Sequence, residues 1–303
     1  MAVRAARRCA SVRAMPRRFA LVLTFLGACA ASAPIAAPPA APPAPPLDVA
    51  GALAHAAAPL GLPADATCLV VATPDGAVAA SAPACAVERL RPASTFKIVN
   101  TLIGADVGLI TSAESILPYD PARYPPEQVG NPAWTHDQSV RDALAVSAVP
   151  LYRRLAIDIG AARMQAHLDA LAYGNRSIEG GLDRFWLDGG LAVSAAEQVA
   201  LVRGLLAGTL PVSAAAMAVV REALPRETIG AATIHWKTGT GELDDGAGWI
   251  AWLVGWVDGV DGARPFACWL REPATVPFDD LRAHRLAVCR GALADLGLIA
   301  ATP

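Results

Sequence analysis

Pro92-Ala93-Ser94-Thr95-Phe96-Lys97 sets a serine and a lysine three residues apart at the head of a stretch that reads as a buried helix. At that spacing two side chains share one helix face, with Cβ atoms about 5 to 6 Å apart, so the amine can take the proton of the hydroxyl. Serine is a poor nucleophile near neutral pH and needs an adjacent base, and a lysine can be that base only if its pKa is depressed. Phe96, Ile98, Val99, Leu102 and Ile103 surround Lys97 with apolar side chains, and desolvation disfavours the ammonium form. Ser94 is therefore the expected nucleophile and Lys97 its base.

A Ser-x-x-Lys string is common by itself, and the lysine usage gives it weight. Of 25 lysines and arginines in the chain only Lys97 and Lys237 are lysine. A sequence that prefers arginine so strongly marks these two positions as needing a compact amine that can lose its proton, which a guanidinium does not do. Lys237 opens the string Lys237-Thr238-Gly239.

Outward toward the N-terminus, residues 1–18 carry six arginines and no acid, and residues 19–28 form an apolar run of ten. That is the pattern of a signal peptide over residues 1–28, too short to span a bilayer, and Met15 is a second candidate start. The run ends Leu26-Gly27-Ala28-Cys29, which resembles a bacterial lipobox with Cys29 as the lipidated residue; ordinary cleavage after Ala30 or Ala33 is the alternative. Residues 31–46 hold seven prolines and seven alanines, a composition that extends instead of packing, so residues 29–47 read as a tether. The remaining chain, 48–303, shows no repeat, no second proline-rich break and no long apolar run, and reads as one domain. Loss of the six signal arginines takes the formal charge from −2 to −8, which speaks against nucleic acid or acidic partners.

Beyond Cys29 four cysteines remain: Cys68, Cys85, Cys268 and Cys289. Export permits disulfides, and four cysteines allow three pairings. Residues 68–72 read as a strand, Pro74-Asp75-Gly76 as a turn and residues 77–80 as the returning strand, which puts Cys68 and Cys85 across a hairpin as a bridged pair. Cys268, inside an apolar strand, and Cys289, on the last helix, are expected as small buried hydrophobes. The five histidines show no ligand spacing, so a metal site is not expected.

After the Ser94 helix the pattern turns irregular and then helical to about residue 210, clearest over 141–145 and 151–171. Residues 232–237, 249–257 and 266–271 then read as strands, the middle one apolar on both faces and hence central. Residues 281–296 read as an amphipathic closing helix. Strands at both ends of the domain around a helical insert imply an α+β fold, an antiparallel sheet flanked by helices beside an all-helical lobe, with the site in the cleft between them.

Three more strings lie between the lysines in sequence order: Ser147-Ala148-Val149, Tyr173-Gly174-Asn175 and the loop Phe185-Trp186-Leu187-Asp188-Gly189. With Ser94-Thr95-Phe96-Lys97 and Lys237-Thr238-Gly239 they make the chain resemble the class D serine β-lactamases, the oxacillinase family, from about residue 68 to 299. The resemblance implies the β-lactamase and penicillin-binding transpeptidase fold and hydrolysis of β-lactams through an acyl-enzyme on Ser94. It implies a Lys97 carboxylated by carbon dioxide (N6-carboxylysine) as general base, with no other cofactor. Ser147 is then the proton relay to the lactam nitrogen, and Lys237 supplies positive charge to it. Thr238, Gly239 and Thr240 bind substrate, the backbone N–H groups of Ser94 and Thr240 forming the oxyanion hole. Trp186 donates its indole N–H to the carbamate, and Val149 keeps the pocket apolar. An arginine of the last helix grips the substrate carboxylate through a bidentate fork; Arg285 fits the register better than Arg282. Tyr173 and Asn175 read as a turn tolerant of positive φ. The expected partners are small β-lactams, chosen by loops near Trp134 and residues 244–248, and the expected place is the periplasm, with or without the lipid at Cys29.

Two relatives of that fold are competing readings. Penicillin-binding D,D-peptidases usually carry asparagine at the position of Val149. Penicillin sensors stay acylated and follow membrane spans and a protease module, where this chain has only a signal peptide; turnover is the expectation.

Overall fold

The computed structural model describes residues 46–243 and 246–301; the signal peptide, Cys29 and nearly all of the tether lie outside them, as do residues 244 and 245 of the loop expected to shape substrate choice. Six antiparallel strands form one sheet, in the spatial order Val78–Ala80, Thr67–Ala72, Gly262–Pro273, Gly248–Gly259, Ala232–Glu242, Arg226–Ile229. The strands expected at 232–237, 249–257 and 266–271 are all present and longer, and Gly248–Gly259 is central.

Side chains alternate between faces along each strand, and this sheet buries both. Val70, Ile250, Trp252, Val254, Ala267 and Trp269 join the core of the helical lobe. Leu69, Val71, Ala251, Leu253, Phe266 and Leu270 pack with residues of the first helix, Val49–Ala57, and the closing helix, Phe278–Asp295. In the lobe, helix Lys97–Asp106 is buried from Lys97 through Gly104, as a helix that is apolar nearly all round must be. Around it lie Val140–Ala145, Val149–Ile159, Ala161–Ala170, Ala195–Ala207 and Ala214–Ala223. The stretch expected as helix over 151–171 is broken at Gly160, whose φ of 83° ends one helix before the next starts. Among the described residues no helix is long and apolar enough to cross a membrane.

Among the described residues two disulfides are present, and one corrects the reading of the sequence. Cys68 is bridged to Cys85, although Cys85 sits on the short helix Pro83–Val87 after the hairpin instead of across it. Cys268 and Cys289 are also bridged, not separate buried thiols. The helical face that meets the strand follows from docking of the closing helix onto the sheet, which spacing in the sequence does not convey.

Candidate active site

Strand Arg226–Ile229 pairs with Ala232–Glu242 only as far as His235. Past that point the outer edge of the longer strand borders a cleft of about 750 Å³ lined by Ser94, Ser147, Val149, Thr238, Thr240, Arg282 and Arg285, with Trp134, Leu187 and Phe278 as apolar walls.

Ser94 lies not in the α-helix but in a 3₁₀ turn, Ala93–Phe96, that precedes it; Ala93, at φ 48°, starts the turn. The tighter turn keeps the spacing effective, since Lys97 Nζ stands 2.7 Å from Ser94 Oγ. Gly239 lets the strand approach this turn: a Cβ there would lie 2.7 Å from the Pro92 carbonyl oxygen and 3.1 Å from the Thr95 nitrogen. Residues 237 and 239 present the same face of the strand, so the same approach that needs glycine at 239 delivers the Lys237 side chain to the site.

Ser147 is the meeting point. Its Oγ is 2.9 Å from Lys237 Nζ and 3.4 Å from Lys97 Nζ. It holds φ 59°, a left-handed conformation that costs a non-glycine residue about 1 to 3 kcal/mol and persists where surrounding structure enforces it. Val149, two residues on, opens helix Val149–Ile159.

Burial pulls the Lys97 amine down to about 7. Lys237 is held well below the usual lysine range by burial, with Lys97 and Arg285 adding like-charge repulsion. Lys97 also faces the Tyr152 ring, 5.5 Å from its centroid. Trp186 is wholly buried, packed against Phe96 and Phe185 with ring centroids at 5.2 and 5.0 Å. Its indole Nε1 is buried without a hydrogen-bond partner among the described residues, and a buried donor left unpaired is costly.

Arg285 is buried, and its Nη1 donates to Thr240 Oγ1 at 2.9 Å. Burial, then repulsion by Arg282, lowers its pKa to about 10. Arg282 also lines the cleft, but is exposed and lies 3.6 Å from Asp279. Thr238 is on the same strand face as Thr240.

The Tyr-Gly-Asn string does more than turn the chain. Positive φ falls on Gly174 and on Arg176, not on Asn175. Asn175 ties the Trp186 loop instead, accepting from Ala192 N at 3.0 Å and donating to Gly190 O at 2.7 Å. Tyr173 OH donates to Gln198 Oε1 at 3.2 Å, Gln198 Nε2 to Thr95 Oγ1 at 2.9 Å, and Thr95 Oγ1 to the Pro92 carbonyl at 2.7 Å. This buried chain braces the turn that bears Ser94. Gln198 and Tyr152 carry no signal in the sequence, since Gln198 reaches Thr95 across 103 residues and Tyr152 reaches Thr101 across 51.

Ser94 beside the buried Lys97 amine, with Ser147 between Lys97 and Lys237, is an arrangement in which a hydroxyl can be activated for attack on an acyl carbon. Residues 67–274 match the penicillin binding protein transpeptidase domain. The chain is 39% identical to β-lactamase OXA-5 of Pseudomonas aeruginosa over 168 residues, 55% of this chain and 61% of that protein. It is 37% identical to β-lactamase OXA-48 of Klebsiella pneumoniae over 185 residues, 61% and 67% of the two. The matched part thus spans about three-fifths to two-thirds of these relatives. The crystal structure of FUS-1 (OXA-85), a class D β-lactamase from Fusobacterium nucleatum subsp. polymorphum, superposes with a TM-score of 0.72 at 31% identity, covering 82% of this chain and 98% of that one. The chain belongs to the class D β-lactamases, within the penicillin-binding transpeptidase family.

Proposed function

We propose that this protein hydrolyses β-lactam antibiotics through a covalent acyl-enzyme on Ser94. The observation that carries the reading is the convergence of Ser94, Lys97, Ser147 and Lys237 within 3.4 Å steps at the cleft. Lys97, once carboxylated, would accept the proton of Ser94 Oγ as it attacks the lactam carbonyl. The N–H groups of Ser94 and Thr240 receive the developing oxyanion. Ser147, with Lys237 behind it, passes a proton to the departing lactam nitrogen, and Thr238, Thr240 and Arg285 hold the substrate carboxylate.

Deacylation needs a base after Ser94 is esterified, and Lys97 fits carboxylation. An amine near pKa 7 is substantially neutral, only the neutral amine adds carbon dioxide, and the buried, unpartnered Trp186 Nε1 is a donor ready for the anion. A carboxylate on Lys97 Nζ would supply an anionic base toward Ser94 and toward water. It would also balance Lys237, since two ammonium groups cannot be accommodated beside one buried oxygen. Export to the periplasm, with Cys29 as a lipid attachment point or ordinary cleavage in its place, belongs to the same reading.

The test is turnover of a chromogenic β-lactam by the purified protein, with Ser94→Ala as control. Many turnovers per molecule, abolished in Ser94→Ala, support the enzyme. One stoichiometric acylation would make it a sensor, and slow acylation with preference for D-Ala-D-Ala peptides a D,D-peptidase.

A further inference from the structure

Arg285 and Cys289 lie four residues apart on the closing helix and so face the same way, onto the sheet. Cys289 is bridged to Cys268, while Arg285 reaches Thr240. The sheet register relates the two contacts. Cys268 and Thr238 are both paired with Leu253, so they lie on one row across three strands, and Leu270, Ala251 and Thr240 form the row two residues further along. Four residues of helix advance about 6 Å and two residues of strand about 6.6 Å. With the bridge on the Thr238 row, the arginine one helical turn away falls at the Thr240 row, and its long side chain covers the sideways offset.

Besides the bridge, this end of the helix is tied to the sheet by His284, whose Nδ1 lies 2.7 Å from the buried Glu272 Oε1, and by Phe278, edge-on to Trp249; the rest of it is loosely held. Its first residue follows Pro277 with no side-chain cap, Phe278 is half exposed, and Leu281 is the only residue of the first turns before Arg285 that is buried. A buried guanidinium with an unpartnered Nε, repelled by Arg282, opposes close docking. We infer that the Cys268–Cys289 disulfide is a positioning device that holds Arg285 in register with Thr240, and thereby sets the affinity for the substrate carboxylate. This rests on reading Arg285 as the carboxylate contact.

The experiment compares Cys268→Val/Cys289→Ala, which removes the bridge but keeps the site filled, with Cys68→Ala/Cys85→Ala, which removes the other bridge. Each full-length protein is assayed with nitrocefin at a temperature where circular dichroism shows it folded. Without the Cys268 bridge KM should rise about five-fold or more with kcat within about two-fold, since small misplacement of a binding group is costly; the other variant should keep its KM. In an Arg285→Ala background, removal of the Cys268 bridge should leave KM where Arg285→Ala alone puts it, because the two changes remove one interaction. An unchanged KM in the bridge variant, while Arg285→Ala raises it, overturns the inference. An Arg285→Ala enzyme with wild-type KM overturns the carboxylate reading itself, and the inference with it.

Discussion

Lys97 and Lys237 meet at one oxygen: Ser147 Oγ lies 3.4 Å from the first amine and 2.9 Å from the second. They are 140 residues apart in sequence and both are buried. Two cations there would repel each other without solvent to screen them, so the site has to keep one amine neutral or convert it to an anion.

The pH dependence follows from Lys97. Its pKa in the fold, about 7, lies below the ordinary 10.5, so between those values the unfolded chain binds a proton that the folded chain does not. Folding stability should therefore increase with pH through that window in carbon-dioxide-free buffer, and denaturant titrations of Lys97→Met should show a shallower slope, the remainder coming from Lys237, which burial also holds below the usual lysine range. Activity should fall as pH drops through about 7, where the amine becomes ammonium, and added bicarbonate should raise it. A wild-type rate indifferent to both would remove Lys97 as the base.

Trp186→Phe keeps an aromatic ring against Phe96 and Phe185 but removes the unpartnered N–H. A hydrogen bond to a charged group contributes about 1.5 to 3 kcal/mol. The bicarbonate concentration for half-maximal rate should rise by about ten-fold or more, read from initial rates in degassed buffer titrated with bicarbonate. No shift in that titration would mean that the indole faces no anion.

Arg285→Ala should raise KM for a carboxylate-bearing penicillin by about ten-fold or more, on the same magnitude for a charge-assisted contact. Arg282→Ala, from an exposed side chain paired with Asp279, should change it by less than about three-fold. Steady-state kinetics of the two variants decide the assignment, and a reversed order would exchange their roles.

Gln198→Ala strips Thr95 of its donor and Tyr173 of its acceptor in a wholly buried setting. Each orphaned group costs about 1 to 3 kcal/mol, so the urea midpoint should fall clearly. The acylation rate should fall as well, because the turn bearing Ser94 loses its brace. Retention of both would show that the chain from Tyr173 to Pro92 is incidental.

Much of the site was legible because its chemistry is local. The Ser94 to Lys97 spacing works within one turn, Lys237-Thr238-Gly239 within one strand, and the scarcity of lysine marked both amines before any contact was known. The α+β layout was equally legible, since apolar runs of strand length at the two ends flank helical periodicity, and alternation along residues 249–257 is lost where both faces are buried.

What only the tertiary structure decided is whatever depends on two elements docking. The sequence could place Cys289 on a helix and Cys268 on a strand, but not the face on which they meet, and so it left their bridge unseen. Arg285 and Arg282 differ by less than one helical turn in the sequence, and burial against Thr240 separates them only once the helix lies on the sheet. Gln198 became part of the support of the Ser94 turn through a hydrogen bond spanning 103 residues. Periodicity and spacing report interactions within a few residues of the chain; the relative placement of helix and sheet is set by packing of two cores at once, and that packing is not written in any one stretch.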